Sequence, residues 1–232
     1  MGERFFLDGP PHGTAATLVG DEARHLARVL RARPGDEVVV FAGTGCEWPA
    51  RVAGITRDTV ELELGPARAD PPAAAPLTLA VALPKGDRQK WLVEKLTELG
   101  VARLVPLLTQ RGVAEATAAA RDRLRRSVVE ACKQCGRNTL LDIAAPLTPR
   151  QAVAALAPPT RLILATPAGP PLSPPVAAAD PVVAFVGPEG GFTAEETAIL
   201  VEAGAVPARL APHVLRVETA AVALAAALGA AR

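Results

Sequence analysis

Three segments of the chain carry residue types and spacings suited to ligand chemistry. The sharpest is Val186-Gly-Pro-Glu-Gly-Gly-Phe-Thr193, in which an apolar run enters a glycine-rich turn and then a helix start. Gly187, Gly190 and Gly191 let the backbone approach a ligand closely, while Pro188 fixes the path. No Lys-Ser/Thr pair follows, and the spacing is not GxGxxG, so neither a P-loop nor a dinucleotide fingerprint fits. A purely structural turn is the alternative. The second segment, Leu210-Ala-Pro-His-Val-Leu-Arg-Val-Glu-Thr-Ala220, opens the last helix. It places Arg216 in a loop, and Glu218 suits the helix N-terminus electrostatically. Its plain reading is a cap beside a surface arginine. The third, Leu83-Pro-Lys-Gly-Asp-Arg-Gln-Lys90, sets Lys85 just after a strand end, where it is either a phosphate contact or solvated.

Alternating elements must position these segments. From Leu77 onward the pattern predicts strands at Leu77–Ala82, Arg103–Leu107, Arg161–Ala165, Val182–Val186 and Val206–Leu210. Helices are expected from Asp87 to Leu99, Thr117 to Cys135, Ala194 to Ala203 and Glu218 to Leu228. Such alternation implies an α/β fold with a mainly parallel sheet and helices on both faces. Ligands in such sheets bind at the carboxyl ends of the strands. The first 64 residues read differently, as strands at Glu37–Phe41, Trp48–Ile55 and Thr59–Leu64 with one helix capped by Asp21. On that helix Arg24, Arg28 and Arg31 share a stripe at i, i+4, i+7, either solvated or facing phosphate. The proline-rich stretch Gly65–Pro76 reads as a linker. Domains are therefore expected at 1–70 and 71–232.

The 232 residues can bury a sizeable core without disulfides. With no Tyr, five Phe and two Trp, a row of stacking aromatics for nucleic acid is disfavoured. The net charge of +1 conceals a pattern. Residues 1–70 hold 8 Arg against 11 acids, whereas residues 85–137 hold 12 Lys/Arg against 6 acids. That basic middle is either a solvated helix face or a phosphate-facing surface. The N-terminus lacks an apolar signal region, the stretch Leu162–Ala179 contains five prolines, and the three cysteines cannot all pair internally. A reduced, cytoplasmic setting without a membrane is expected. Cys132 and Cys135 form a lone CxxC without the further ligands of a metal site, so no metal is expected.

The ordered motifs resemble the RsmE family, bacterial 16S rRNA uracil-N3 methyltransferases of the SPOUT class. The resemblance runs through Arg4-Phe5-Phe6, then His25-Leu26 with Val29-Leu30-Arg31 and Pro34-Gly35-Asp36. It continues in Lys85-Gly86-Asp87, Glu98-Leu99-Gly100-Val101, Pro106, and Glu130-Ala131 with Gln134 and Gly136-Arg137. It ends in Gly187-Pro-Glu-Gly-Gly191 and Leu215-Arg216 with Glu218-Thr219-Ala220. The chain departs from the family pattern at Ala211, His213, Val217 and Cys135.

The resemblance implies an N-terminal PUA-like β-barrel that binds RNA and a C-terminal SPOUT α/β domain with a deep trefoil knot. It implies S-adenosylmethionine held by Leu164, Ala165, Thr166, Gly187, Pro188, Glu189, Gly190, Gly191, Leu210, Val214, Leu215 and Thr219. Arg216 is the expected catalytic residue. RNA contacts are expected from Arg4, Arg24, Arg28, Arg31, Lys85 and Arg137. The implied partners are 16S rRNA or the small ribosomal subunit, and a second copy of the chain in a homodimer. The reaction is methylation at N3 of a decoding-centre uridine. Alternatives are a SPOUT enzyme acting at another RNA site and a non-catalytic RNA-binding assembly factor.

Overall fold

The computed structural model describes residues 3–71, 75–114, 117–173 and 180–229. Two compact units emerge, Met1–Pro72 with Cys132–Leu140, and Ala73–Ala131 with Leu141–Arg232.

The first unit is a single sheet of β1 (Arg4–Phe6), β2 (Ala15–Val19), β3 (Glu37–Phe41), β4 (Cys46–Ile55), β5 (Thr59–Leu64) and β6 (Arg68–Ala69). Its path is β1-β3-β4-β5-β2, with β6 on β4. The β5 pattern Thr-Val-Glu-Leu-Glu-Leu alternates strictly, burying Val60, Leu62 and Leu64. These pack with Phe5, Leu18, Leu26, Val38, Val40 and Val52 in one core. A lone sheet can give five of its strands, β1 to β5, one shared core only by curling on itself. Among the described residues no pairing joins β1 to β2, so the expected barrel is a PUA-like half-barrel.

The helix of this unit differs from expectation. It begins as α1 (Gly20–Arg24) behind Val19, which offers no side-chain cap, and Asp21 pairs with Arg24 instead. From His25 to Val29 it widens into a π-helical turn, with the Leu30 N–H donating to the His25 carbonyl at 3.1 Å. Arg31 then takes a left-handed backbone (φ 56°), which ends the helix. The expected i, i+4, i+7 stripe therefore loses its helical spacing, although Arg24, Arg28 and Arg31 all remain exposed.

The second unit holds β7 (Leu77–Val81), β8 (Arg103–Pro106), β9 (Asp142–Ile143), β10 (Arg161–Ala165), β11 (Val182–Val186) and β12 (Val206–Ala208). Their order is β12-β10-β11-β7-β8-β9, and every pairing is parallel. All five residues of β11 are buried, as a central parallel strand covered on both faces requires. On one face Ala80, Leu162, Leu164, Val183 and Phe185 pack with Ala152 of α4 (Pro149–Ala154) and Leu200 of α5 (Ala194–Glu202). On the other, α6 (Val217–Gly229) packs on β7 and β11 and against α2 (Arg88–Glu98). A long α3 (Ala118–Cys135) completes the helices. No helix among the described residues is long and apolar enough to cross a membrane.

Strand β12 stops two residues before its expected end. Arg209 leaves it to bridge the loop after β10, donating to the Pro170 carbonyl (2.7 Å) and accepting from Leu172 N–H (2.8 Å).

Candidate active site

Because β12, β10 and β11 are neighbours and parallel, their carboxyl ends and following loops converge. They enclose a cavity of about 410 Å³. Leu164, Ala165 and Thr166 line it from the end of β10. Gly187, Pro188, Glu189, Gly190 and Gly191 line it after β11. Leu210, Val214 and Leu215 line it after β12. Eleven of the twelve expected cofactor residues thus share one concavity, of a size common for small-molecule sites. Thr219 is not brought into the lining: on α6 the face toward the cavity carries Val217 and Ala220, three residues apart, and Thr219 is exposed.

The glycine-rich turn is built locally and then clamped. Gly191 N–H donates to the Pro188 carbonyl at 2.8 Å, and Gly191 takes a left-handed backbone (φ 69°) that favours glycine. Thr193 and Glu196 form a capping box that starts α5. Buried Glu196 also accepts from the Gln110 backbone N–H (2.8 Å), and the Arg111 guanidinium donates to the Gly190 carbonyl (2.7 Å). The loop after β8 therefore braces the loop after β11. A second close approach was not singled out from the sequence. A Cβ on Gly169 would lie 2.8 Å from the Ala208 backbone nitrogen and 3.0 Å from the Pro207 carbonyl carbon. Only glycine lets the β10 loop lie against β12 there.

Arg216, the expected catalytic residue, stands between two lining residues but is itself exposed and outside the lining. Its carbonyl accepts the Ala220 N–H (2.8 Å), so its backbone begins α6. His213, where the sequence departs from the family pattern, lines the cavity. The sequence reading missed Arg88, which lies 3.6 Å from Glu189 and 3.5 Å from Glu218.

Among the expected RNA contacts, Arg24, Arg28, Arg31 and Lys85 are exposed. Arg4 is corrected: it is buried inside the first unit. Its guanidinium binds Glu47 at 2.5 Å and Asn138, and lies 4.9 Å from the Phe41 ring centroid. A guanidinium so engaged has no open face for phosphate. Asn138 in turn donates to Asp70 (2.7 Å), and Lys133 binds Glu22 (2.9 Å). These contacts attach Cys132–Leu140 to the half-barrel. Arg137 belongs to the same cluster and is half-buried. Burial holds its pKa below the ordinary arginine value, partly offset by Cys132, Cys135 and Asp70. Burial likewise pushes the Cys132 thiol up to about 11, with Arg137 opposing.

Comparison with known proteins decides what this cavity belongs to. A model of the RNA methyltransferase domain matches residues 71–229, and one of the RNA methyltransferase PUA domain matches residues 18–65. Ribosomal RNA small subunit methyltransferase E from Synechocystis is 34% identical over 88% of this chain and 69% of its own length. The protein of that name from Mycobacterium bovis is 34% identical over 97% of this chain and 90% of its own. The chain belongs to the RsmE family. The RsmE structure from Neisseria gonorrhoeae, bound to S-adenosylmethionine, superposes with a TM-score of 0.89 at 29% identity, over 98% of this chain and 96% of that one. The cavity of this RsmE-family chain lies within the part matched by the methyltransferase domain.

Proposed function

We propose that the chain transfers a methyl group from S-adenosylmethionine to N3 of a decoding-centre uridine in 16S rRNA of the small ribosomal subunit. The observation that carries this reading is the cavity where three parallel strand ends meet, in a chain of the RsmE family. Its residues suit the cofactor. Glycine-rich backbone at Gly187–Gly191 leaves room for a polar ligand, while Leu164, Val186, Leu210 and Leu215 offer apolar walls to a nucleoside. When bound, S-adenosylmethionine supplies an activated methyl group on its sulfonium.

The protein's own part is alignment, charge stabilisation and proton removal. Uridine N3 lies on the Watson–Crick edge, so the base enters unpaired or flipped out. N3 must lose its proton. Arg216 stabilises the developing uracil anion, since fixed charge near a reacting group is often the largest catalytic contribution. Arginine cannot itself take the proton. The candidate acceptors are Glu189 and His213, which both line the cavity, and solvent.

RNA is held by the exposed Arg24, Arg28 and Arg31 of the half-barrel and by Lys85. The reading includes a trefoil knot formed by the loops around the cavity, a homodimer and a cytoplasmic setting.

The test has two parts. Calorimetry with S-adenosylhomocysteine is expected to give saturable binding, and mass mapping of 16S rRNA is expected to show one uridine methylated only when the protein is present. Arg216→Ala should abolish methylation with cofactor affinity less affected. A protein that binds S-adenosylhomocysteine yet methylates no uridine would refute the substrate assignment.

A further inference from the structure

Arg88 opens α2, and its place is set by the turn that precedes it. Gly86 adopts a left-handed backbone, and the buried Gln89 side chain donates to the Pro84 carbonyl at 2.8 Å. The turn leaves the sheet beside the glycine-rich loop, because β7 pairs with β11 and Ala82 N–H donates to Val186 at 3.0 Å. Arg88 therefore reaches both Glu189 in that loop and Glu218 in the first turn of α6, at 3.6 and 3.5 Å. Charge-assisted hydrogen bonds run at about 2.7–2.9 Å, so one guanidinium is shared between two carboxylates at ion-pair distance. The two carboxylates differ. The Glu189 side chain is 44% exposed, whereas that of Glu218 is 8% exposed and its Oε2 is buried without a hydrogen-bond partner. Among the described residues, Arg88 is the one cation within ion-pair range of Glu218.

We propose that Arg88 is a positioning residue, tying the glycine-rich loop to the first turn of α6 and so fixing two walls of the cavity for its ligand. The proposal rests on the cofactor reading above. Without the guanidinium, both carboxylates lose this cation, and one of them is buried. Loop and helix then move apart, and the cavity loses its bound shape. Lysine is not equivalent, because one ammonium is a point charge and cannot present two donor edges to two carboxylates.

The experiment measures S-adenosylhomocysteine affinity by calorimetry for the wild type, Arg88→Gln, Arg88→Lys, Glu189→Gln and the Arg88→Gln/Glu189→Gln double variant. Arg88→Gln is expected to weaken binding about fivefold or more, and Arg88→Lys to recover only part of the loss. Glu189→Gln should have a smaller effect in the Arg88→Gln background than in the wild type, because the pair is already broken. A residue that merely stabilised α2 would give additive effects. Additivity, or wild-type affinity in Arg88→Gln, overturns the proposal while the cofactor reading stands. Should Arg88→Gln not fold, Arg88→Lys retains the charge, and full wild-type affinity there overturns the bridge. A wild-type chain that binds no S-adenosylhomocysteine overturns the cofactor reading and this proposal together.

Discussion

Replacing Arg4 separates a structural arginine from an RNA-binding one. The side chain is 7% exposed, and it joins Glu47 to Asn138, a residue 134 positions along the chain. Arg4→Ala removes two hydrogen bonds to a charged group, each contributing about 1.5–3 kcal/mol when lost. It also removes a cation–π contact worth about 0.5–2 kcal/mol. Glu47 is 20% exposed, so it regains some water, which trims the total. The expected net loss is about 3 kcal/mol. For a unit of the first unit's size each kcal/mol shifts Tm by about 4–8 °C, so that unit should melt about 12–24 °C earlier. The assay is a thermal melt by circular dichroism, run beside Arg24→Ala. Arg24 is exposed, so that variant should stay within about 0.5 kcal/mol of the wild type. Anisotropy with a small-subunit rRNA fragment supplies the second readout, taken well below the transition. There Arg24→Ala should bind RNA more weakly, and Arg4→Ala should not. An Arg4→Ala chain that melts like the wild type but loses RNA affinity would refute the reasoning.

Three further outcomes are expected. Gly169→Ala places a methyl against the Ala208 and Pro207 backbone, which cannot rotate away. It should destabilise the second unit by about 1–3 kcal/mol and weaken S-adenosylhomocysteine binding, read by melting with and without ligand. Cys132 has its pKa raised from 9.0 to about 11, so the folded chain keeps a proton that the unfolded chain loses. Its stabilisation is present below pH 9 and is lost as pH rises toward 11, by about 2–3 kcal/mol. Urea titrations from pH 8 to 10.5 should show this loss in the wild type and a flatter profile in Cys132→Ala. Arg28→Ala should weaken RNA binding and reduce the slope of log K against log salt by about one; an unchanged slope would remove Arg28 from the interface.

What the sequence shows depends on how local the cause is. Strands β3, β5, β10 and β11 match their expected limits, because each is set by its own apolar run and flanking turn. The π-helical turn escapes such reasoning: the Arg24, Arg28, Arg31 spacing fits an α-helix, whereas the turn from His25 to Val29 is wound wider, with Leu26 and Ala27 packed into the core of the curled sheet. Strand β1 is three residues long and pairs with β3 in parallel, so neither length nor a hairpin turn announces it. Helix α4 was legible and missed. Thr148-Pro-Arg-Gln151 is a capping box with proline in the first turn, and both of its reciprocal bonds form.

The site follows the same division. Backbone-driven features were visible, because glycine and proline report directly on local chain path, and eleven expected residues line one cavity. Side-chain roles were not, because they depend on which distant group a charge meets. Arg4 and Arg24 are alike in sequence, yet one meets Glu47 and Asn138 in the interior and the other meets Asp21 in solvent. Arg88 stands three residues after Lys85, and nothing near it in the sequence announces Glu189 or Glu218. The parallel sheet brings them together by setting β7 beside β11 and α6 across both. Strand order therefore does more here than fold the domain. It brings Arg88 within ion-pair range of both Glu189 in the glycine-rich loop and Glu218 in the first turn of α6, two acids far from it in sequence.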